Sequence, residues 1–379
     1  MEIVLGRDGR ARRVETLCQG RLVFRTRRGV RSVERSLVEA IPHGARTILA
    51  VGDAEGAVAI AARHLLPEAH VAHLSLDAYE GERARSTCEA NGVPVELTVA
   101  ADLPGTGPDA GMRQDGSQPL WDTILLAGPR ESTFLRELVE EAHDALAPGG
   151  RLVVAAERSP RSLVSVVKDA FGKADPLQNR AKGASLAGAR RTREKRVWKD
   201  RGRTLEREVR GLVLTLAVRP GVFGSTGLDA GTRTLVEAIQ VPAGGRVLDL
   251  GCGTGALGIA AGLLGAGEIV LADSSPRAVA LATSNARANG IQKATALLRA
   301  DLEDLPGPFD LALANPPYFG DFRIARSFVR AAKKNLRPGG HLALVAKAAG
   351  EHLEVVRELF PDARLEERGG YGIVLARRS

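Results

Sequence analysis

Short apolar runs alternate along the chain with longer stretches in which apolar residues recur every three or four positions. In the second half, Arg246–Leu250, Glu268–Ala272, Phe309–Ala314 and His341–Ala346 read as strands. Ala256–Leu264, Pro276–Asn289 and Ile324–Leu336 read as helices. Strands that are apolar at nearly every position belong inside a sheet covered on both faces. Strand and helix in strict alternation predict an α/β architecture with a mostly parallel, twisted sheet.

The same order of landmarks occurs earlier in the chain. Arg35-Ser36-Leu37-Val38-Glu39-Ala40-Ile41 recurs as Arg233-Thr234-Leu235-Val236-Glu237-Ala238-Ile239, and Ala90-Asn91-Gly92-Val93 as Ala288-Asn289-Gly290-Ile291, both at an offset of 198. Ile48 to Gly56 lines up with Val247 to Gly255 at 199, and Ala147 to Leu152 with Arg337 to Leu342 at 190. A duplication of one α/β unit over almost the whole chain is expected. The offset drops near 104–119, where Gly, Pro, Asp and Ser dominate, as for a surface-loop insertion in the first copy. The expected domains are 1–178, a linker with strand elements over 179–219, and 220–379.

A length of 379 residues fits two domains, and no run approaches the roughly 20 apolar residues of a membrane helix. The amino terminus shows no basic-then-apolar leader pattern. Three cysteines, Cys18, Cys88 and Cys252, make no paired framework, which points to a reducing cytoplasm. His70 and His73 have no second ligand pair nearby, so no metal site is expected. A net charge of +8 favours a polyanionic partner. Between Arg180 and Arg219, thirteen Lys/Arg stand against four Asp/Glu, including Arg190, Arg191, Arg193, Lys195 and Arg196. That segment reads equally as a solvated linker and as a phosphate-contacting strip.

The chemistry concentrates in the second copy. Val247 to Gly255 is a strand, a glycine turn and a helix start, with Cys252 inside the turn and Gly251, Gly253 and Gly255 framing it. Many nucleotide-binding sheets share such a turn, so three acids narrow the choice. Asp249 puts a carboxylate in the pocket floor, where a pyrophosphate is repelled and an amino group welcomed. Asp273, followed by Ser274, ends the next strand, where an acid takes ribose hydroxyls. Asp301, followed by Leu302, is placed to accept an adenine amino proton. An amino acid joined to adenosine without phosphate satisfies all three, which is S-adenosylmethionine. A dinucleotide-dependent oxidoreductase would use the same glycines, but Asp249 argues against it.

After the strand Phe309–Ala314 comes Asn315-Pro316-Pro317-Tyr318. Two prolines cannot continue sheet pairing, so the chain leaves the sheet there. The Asn315 side-chain oxygen and the Pro316 carbonyl then offer two acceptors beside an aromatic face, suited to a planar ring with an exocyclic amine. Downstream, Arg323, Arg326 and Arg330 recur at helical spacing, as a solvated face or as phosphate contacts.

Together these residues resemble class I S-adenosylmethionine-dependent methyltransferases of the amino-group type. The lead-in Gly221-Val222-Phe223-Gly224 and Gly227-Leu228-Asp229-Ala230-Gly231-Thr232 is similar to one subgroup, the two-domain ribosomal RNA guanine-N2 methyltransferases. The resemblance implies two tandem Rossmann-like domains with a degenerate N-terminal copy, in a monomer that needs neither membrane nor metal. It implies methylation of guanine N2, with 16S-type RNA or the small ribosomal subunit as partner, in the cytoplasm. It places Asn315 at both cofactor and target, Tyr318 as a base-stacking residue, and Phe223 and the three arginines as RNA contacts. The subgroup commonly has Phe where this chain has Tyr318 followed by Phe319-Gly320-Asp321. Asn-Pro-Pro-Tyr also resembles methyltransferases acting on a release-factor glutamine amide or on adenine, and a non-catalytic RNA-binding protein is a further alternative.

The first copy has lost this equipment. Asp249 corresponds to Ala50, Gly253 to Ala54, Asp273 to Ser75, and Asn315 to Tyr318 corresponds to Ala127-Gly128-Pro129-Arg130, while Asp102 persists. One cofactor per chain is expected.

Overall fold

The computed structural model describes residues 2–5, 11–17, 22–26, 29–104, 120–192, 198–317, 322–347 and 349–379. Tyr318, Cys18, Arg193, Lys195, Arg196 and almost all of the expected insertion at 104–119 lie outside the described residues. The chain divides into two compact units, Met1–Asp200 and Arg201–Ser379.

The first unit opens with β1 (Glu2–Leu5), β2 (Ala11–Leu17) and β3 (Leu22–Thr26), which form an antiparallel sheet. Then follow α1 (Ser32–Glu39), β4 (Thr47–Val51), α2 (Ala57–Leu65), β5 (His70–Ser75), α3 (Ala78–Ala90) and β6 (Glu96–Val99). The unit continues through β7 (Trp121–Ala127), α4 (Ser132–Ala145), β8 (Leu146–Ala156), α5 (Pro160–Phe171), β9 (Asp175–Pro176) and β10 (Ser185–Arg190). Its seven-stranded sheet runs β6-β5-β4-β7-β8-β10-β9, parallel as far as β8.

The second unit starts with the antiparallel hairpin β11 (Arg203–Val209) and β12 (Leu212–Val218), then α6 (Ala230–Ala238), β13 (Arg246–Leu250) and α7 (Ala256–Leu263). It continues with β14 (Glu268–Asp273), α8 (Pro276–Ala288), β15 (Ala294–Leu298), β16 (Phe309–Ala314) and α9 (Arg323–Asn335). It ends with β17 (Leu336–Ala346), α10 (Ala349–Arg357), β18 (Arg364–Arg368) and β19 (Tyr371–Arg377). The strand order β15-β14-β13-β16-β17-β19-β18 repeats the first sheet position for position.

Alternation along each central strand feeds two cores, one on each face. Val247 of β13 packs into the core with Leu235 and Ile259, whereas Leu248 and Leu250 pack with Val329 and Leu344. This is why the strands read as continuous apolar runs.

The strand elements expected within 179–219 belong to the sheets of the two units. Ser185–Arg190 is β10, paired with β8 in the first sheet, and Arg203–Val218 is the β11–β12 hairpin of the second unit. The repeat therefore reaches further toward the amino terminus than the matched motifs. Asn289 accepts from the Thr215 amide at 2.9 Å and donates to the Thr215 carbonyl at 2.7 Å. Its counterpart Asn91 does the same with Arg25, at 3.0 and 2.9 Å. β11 alternates exposed and half-buried residues, as for a strand with one face in solvent.

In the second sheet, Leu250 pairs with Ala272 on one side and Ala314 on the other. The carboxyl ends of β13, β14 and β16 are thus level, and the strand order reverses at β13. A crevice outside the strand ends at such a reversal is where open α/β sheets bind ligands.

Candidate active site

Gly251 and Gly253 turn the chain out of β13 with φ of +65° and +54°, a region that favours glycine. A Cβ at Gly251 would lie 2.6 Å from the Phe328 ring, and one at Gly253 would lie 3.1 Å from the Phe223 carbonyl oxygen. The turn is therefore closely wrapped on both sides. Gly255 completes it as the N-cap of α7. Cys252 is buried, and burial pushes its thiol well above the ordinary range, which leaves it without thiolate reactivity.

Asp249 is 1% exposed. Its Oδ2 accepts from the Gly258 amide at 2.9 Å, while Oδ1 is buried with no hydrogen-bond partner among the described residues. Burial raises the carboxyl to about 7. A buried acid with one unanswered oxygen fits a cationic or N–H-bearing group, which is what the amino-acid end of S-adenosylmethionine offers.

Asp273 braces the site. Its Oδ2 accepts from the Gly253 amide at 2.9 Å and its Oδ1 from the Ser275 amide at 2.8 Å, so Ser274 lies in a turn held by this carboxylate. Asp301 is exposed beyond β15 and accepts from the Glu303 amide at 2.8 Å, while Leu302 packs half-buried against the core. Asp249, Gly251, Cys252, Asn315 and Phe223 line one pocket; Asp273, Asp301, Arg323, Arg326 and Arg330 are not part of its wall.

Asp229 and Thr232 of the lead-in motif, to which no role attaches from sequence, both line this pocket. Asp229 is the N-cap of α6, with Oδ1 accepting from the Gly231 and Thr232 amides at 2.9 and 3.2 Å. Asn315 donates from Nδ2 to both Asp229 oxygens at 3.3 Å and to Thr232 Oγ1 at 3.0 Å. The available signal was an Asp standing just before a helical pattern. Its reach to a strand end 86 residues away was invisible. Pro316 is buried and Pro317 half-buried behind Asn315.

The lead-in loop is anchored from α8. Buried Arg277 donates to the Pro220 carbonyl at 3.0 Å. Buried Asn285 donates to the Ala217 and Thr254 carbonyls, both at 2.9 Å, tying hairpin and glycine turn together. Phe223 stands 53% exposed on this loop at the pocket rim. Along α9, Arg326 pairs with Glu358 at 2.7 Å and Arg330 with Glu303 at 3.1 Å, while Arg323 is exposed at the helix start. Exposed pairs of this kind contribute little to stability and exchange partners readily.

The first unit fills the equivalent place with its own charges. Position for position, Arg31 and Glu34 stand where the second unit has Asp229 and Thr232. Arg31 pairs with Glu34 and donates to the Gly52 carbonyl at 2.9 Å, while Glu34 accepts from the Ala54 amide at 3.1 Å. Asp53 accepts from the Val58 amide at 2.7 Å, and Glu55 pairs with Arg83 and accepts from Thr26 at 2.7 Å. Burial raises Asp53 to about 6 and Glu80 to about 7. Among the described residues, no group of three or more His, Cys, Asp or Glu is arranged to hold a metal.

Residues 213–375 match the family model described as the methyltransferase small domain. The chain is 31% identical over 325 residues to the ribosomal RNA large subunit methyltransferase G of Pseudomonas syringae pv. tomato, covering 82% of each. It is 26% identical over 330 residues to the ribosomal RNA small subunit methyltransferase C of Pseudoalteromonas atlantica, covering 82% of this chain and 89% of that relative. Among solved structures, the 16S rRNA N2-guanine methyltransferase of T. thermophilus, in complex with AdoMet and guanosine, superposes with a TM-score of 0.77 at 23% identity. That match covers 97% of this chain and 98% of the other, and establishes the tandem fold.

Proposed function

Because the chain belongs to the family of ribosomal RNA methyltransferases that carry the methyltransferase small domain, we propose that its second unit methylates the exocyclic N2 of a guanine in ribosomal RNA, with small-subunit RNA, the substrate named for two of its relatives, preferred over large-subunit RNA. The chain is an S-adenosylmethionine-dependent methyltransferase. The observation that carries the assignment of the site is the meeting of Asp249 Oδ1, buried and unanswered, with Asn315 on one pocket wall.

Asp249 receives the amino group of the cofactor's amino-acid end. The turn Gly251–Gly255 lets the backbone approach closely, Asp273 accepts from ribose hydroxyls, and Asp301 with Leu302 borders the adenine. Bound there, S-adenosylmethionine supplies a methyl group made electrophilic by the sulfonium that carries it. The protein's task is to align a nucleophile behind that carbon. An exocyclic amine is a poor nucleophile because its lone pair is delocalised into the ring. Asn315 Oδ1 and the Pro316 carbonyl accept its two N–H bonds and favour the more pyramidal, reactive nitrogen. The proton leaves after transfer, so no strong general base is required. Tyr318 stacks on the base, which must first be splayed out of its RNA helix. Phe223 offers an aromatic face of its own at the rim, and Arg323, with Arg326 and Arg330 released from their acid partners, contacts phosphates.

The enzyme acts as a cytoplasmic monomer in this reading. Among the described residues no helix is long and apolar enough to cross a membrane. The test is nucleoside mass spectrometry on ribosomal RNA from cells with and without the gene. Loss of one N2-methylguanosine, restored by the intact chain and not by Asn315→Ala, is expected. An unchanged nucleoside profile overturns the proposal.

A further inference from the structure

We propose that Asp229 is a positioning residue: with Thr232 it locks the Asn315 amide in the one orientation that turns Oδ1 toward the target amine. The inference rests on the assignment of Asn315 as amine acceptor made above.

An amide side chain can present either its oxygen or its NH2, and the two ends differ little in size. A target amine bearing two N–H donors needs the oxygen; the NH2 in its place would oppose donor to donor. The geometry around Asn315 decides the matter. Its Nδ2 lies 3.3 Å from both oxygens of Asp229 and 3.0 Å from Thr232 Oγ1. A carboxylate only accepts, so the amide nitrogen must face it and Oδ1 must face the other way. The carboxylate is itself held from behind, since Oδ1 caps the first turn of α6 through the Gly231 and Thr232 amides.

Helix capping alone does not account for this. A cap needs one side-chain oxygen, and Asn serves as well as Asp there. Here the carboxylate reaches a second client 86 positions away. The first unit supplies an internal comparison. Arg31, Glu34 and Ala127 stand where the second unit has Asp229, Thr232 and Asn315. Arg31 and Glu34 are turned to pairing with each other. The three positions are present as a set in one unit and replaced as a set in the other.

The decisive variant is Asp229→Asn. The cap holds the oxygen at the position of Oδ1, which puts the new NH2 toward Asn315. Asn315 must then turn its own oxygen inward and its NH2 toward the target. The exchange D229N/N315D restores one donor facing one acceptor and leaves an oxygen pointing outward.

With the full chain, labelled S-adenosylmethionine and unmethylated ribosomal RNA, D229N is expected to lower kcat about 100-fold, as loss of a preorganised polar contact does elsewhere. Its affinity for S-adenosylhomocysteine by calorimetry is expected within about threefold of the parent, and the exchange to recover about tenfold or more of the lost rate. Thr232→Val leaves the cap untouched and carries the same test should D229N fail to fold, with kcat several-fold down and cofactor affinity unchanged. A D229N enzyme of parental rate, a cofactor affinity that falls in step with the rate, or an exchange no faster than D229N overturns the proposal. Asn315→Ala separates the layers: if it is inactive while D229N is normal, only the positioning role fails. If Asn315→Ala is itself fully active, the reading of the site fails.

Discussion

Replacing Asp249 by Asn should make the protein without cofactor more stable at alkaline pH and at the same time abolish its response to cofactor. Burial raises the carboxyl from 3.8 to about 7. Each tenfold in that equilibrium is about 1.4 kcal/mol, so holding Asp249 ionised in the folded state costs on the order of 4 kcal/mol. The folded protein binds this proton more tightly than the unfolded chain. Stability from this group is therefore greatest below about pH 4, declines as pH rises toward 7, and stays low above it. Asn carries no charge to bury and keeps an oxygen for the Gly258 amide, now received at 2.9 Å. Its NH2 would occupy the place of the unanswered Oδ1, a cost of about 1–3 kcal/mol. The net gain is about 2 kcal/mol at pH 8 and near zero at pH 5. The second unit spans Arg201–Ser379, for which 1 kcal/mol corresponds to roughly 2–4 °C. Scanning calorimetry should place its transition roughly 4–8 °C higher in Asp249→Asn at pH 8, with little difference at pH 5. Saturating S-adenosylhomocysteine should raise the parent's transition and leave the variant's unmoved. A variant that melts below the parent at pH 8, or that keeps the full ligand response, refutes the role given to this carboxylate.

Calorimetric titration with S-adenosylhomocysteine should give one site per chain, because Arg31 and Glu34 fill the first unit's equivalent place; two equal sites would contradict that reading. Glu55→Gln should lower the first unit's stability by about 3 kcal/mol, since it removes the buried carboxylate charge that pairs with the largely covered Arg83 guanidinium. Urea unfolding followed by Trp121 and Trp198 fluorescence measures this, with cofactor affinity expected unchanged. A loss under about 1 kcal/mol would contradict the weight given to this pair.

The fold was legible where burial writes directly into the sequence. β13 and β16 occupy the predicted residues because both faces of those strands are covered. β17 begins at Leu336, five residues before the predicted His341, because its Arg-Pro-Gly-Gly stretch joins the strand across an irregular register with β16. Strand elements were expected in the segment that holds the hairpin β11–β12, but not their place in the second unit, because the contacts that dock the hairpin come from Asn285 and Asn289, far along the chain. At the site, Asp249 and the glycine turn were visible because local backbone geometry demands them. Asp229 was not, since a helix cap looks the same whether or not a distant amide leans on it. The retirement of the first copy was legible as missing residues, but the charge cluster that replaced them depends on pairs such as Glu55 with Arg83, which only the folded chain brings together.

Methylation of a guanine amine in ribosomal RNA by this chain is tested most directly by offering labelled S-adenosylmethionine with 30S subunits, 50S subunits, naked ribosomal RNA, DNA and a release factor in parallel. Label in ribosomal RNA, recovered as N2-methylguanosine and absent with Asn315→Ala, is the predicted result. Label confined to the release factor or to DNA would contradict it.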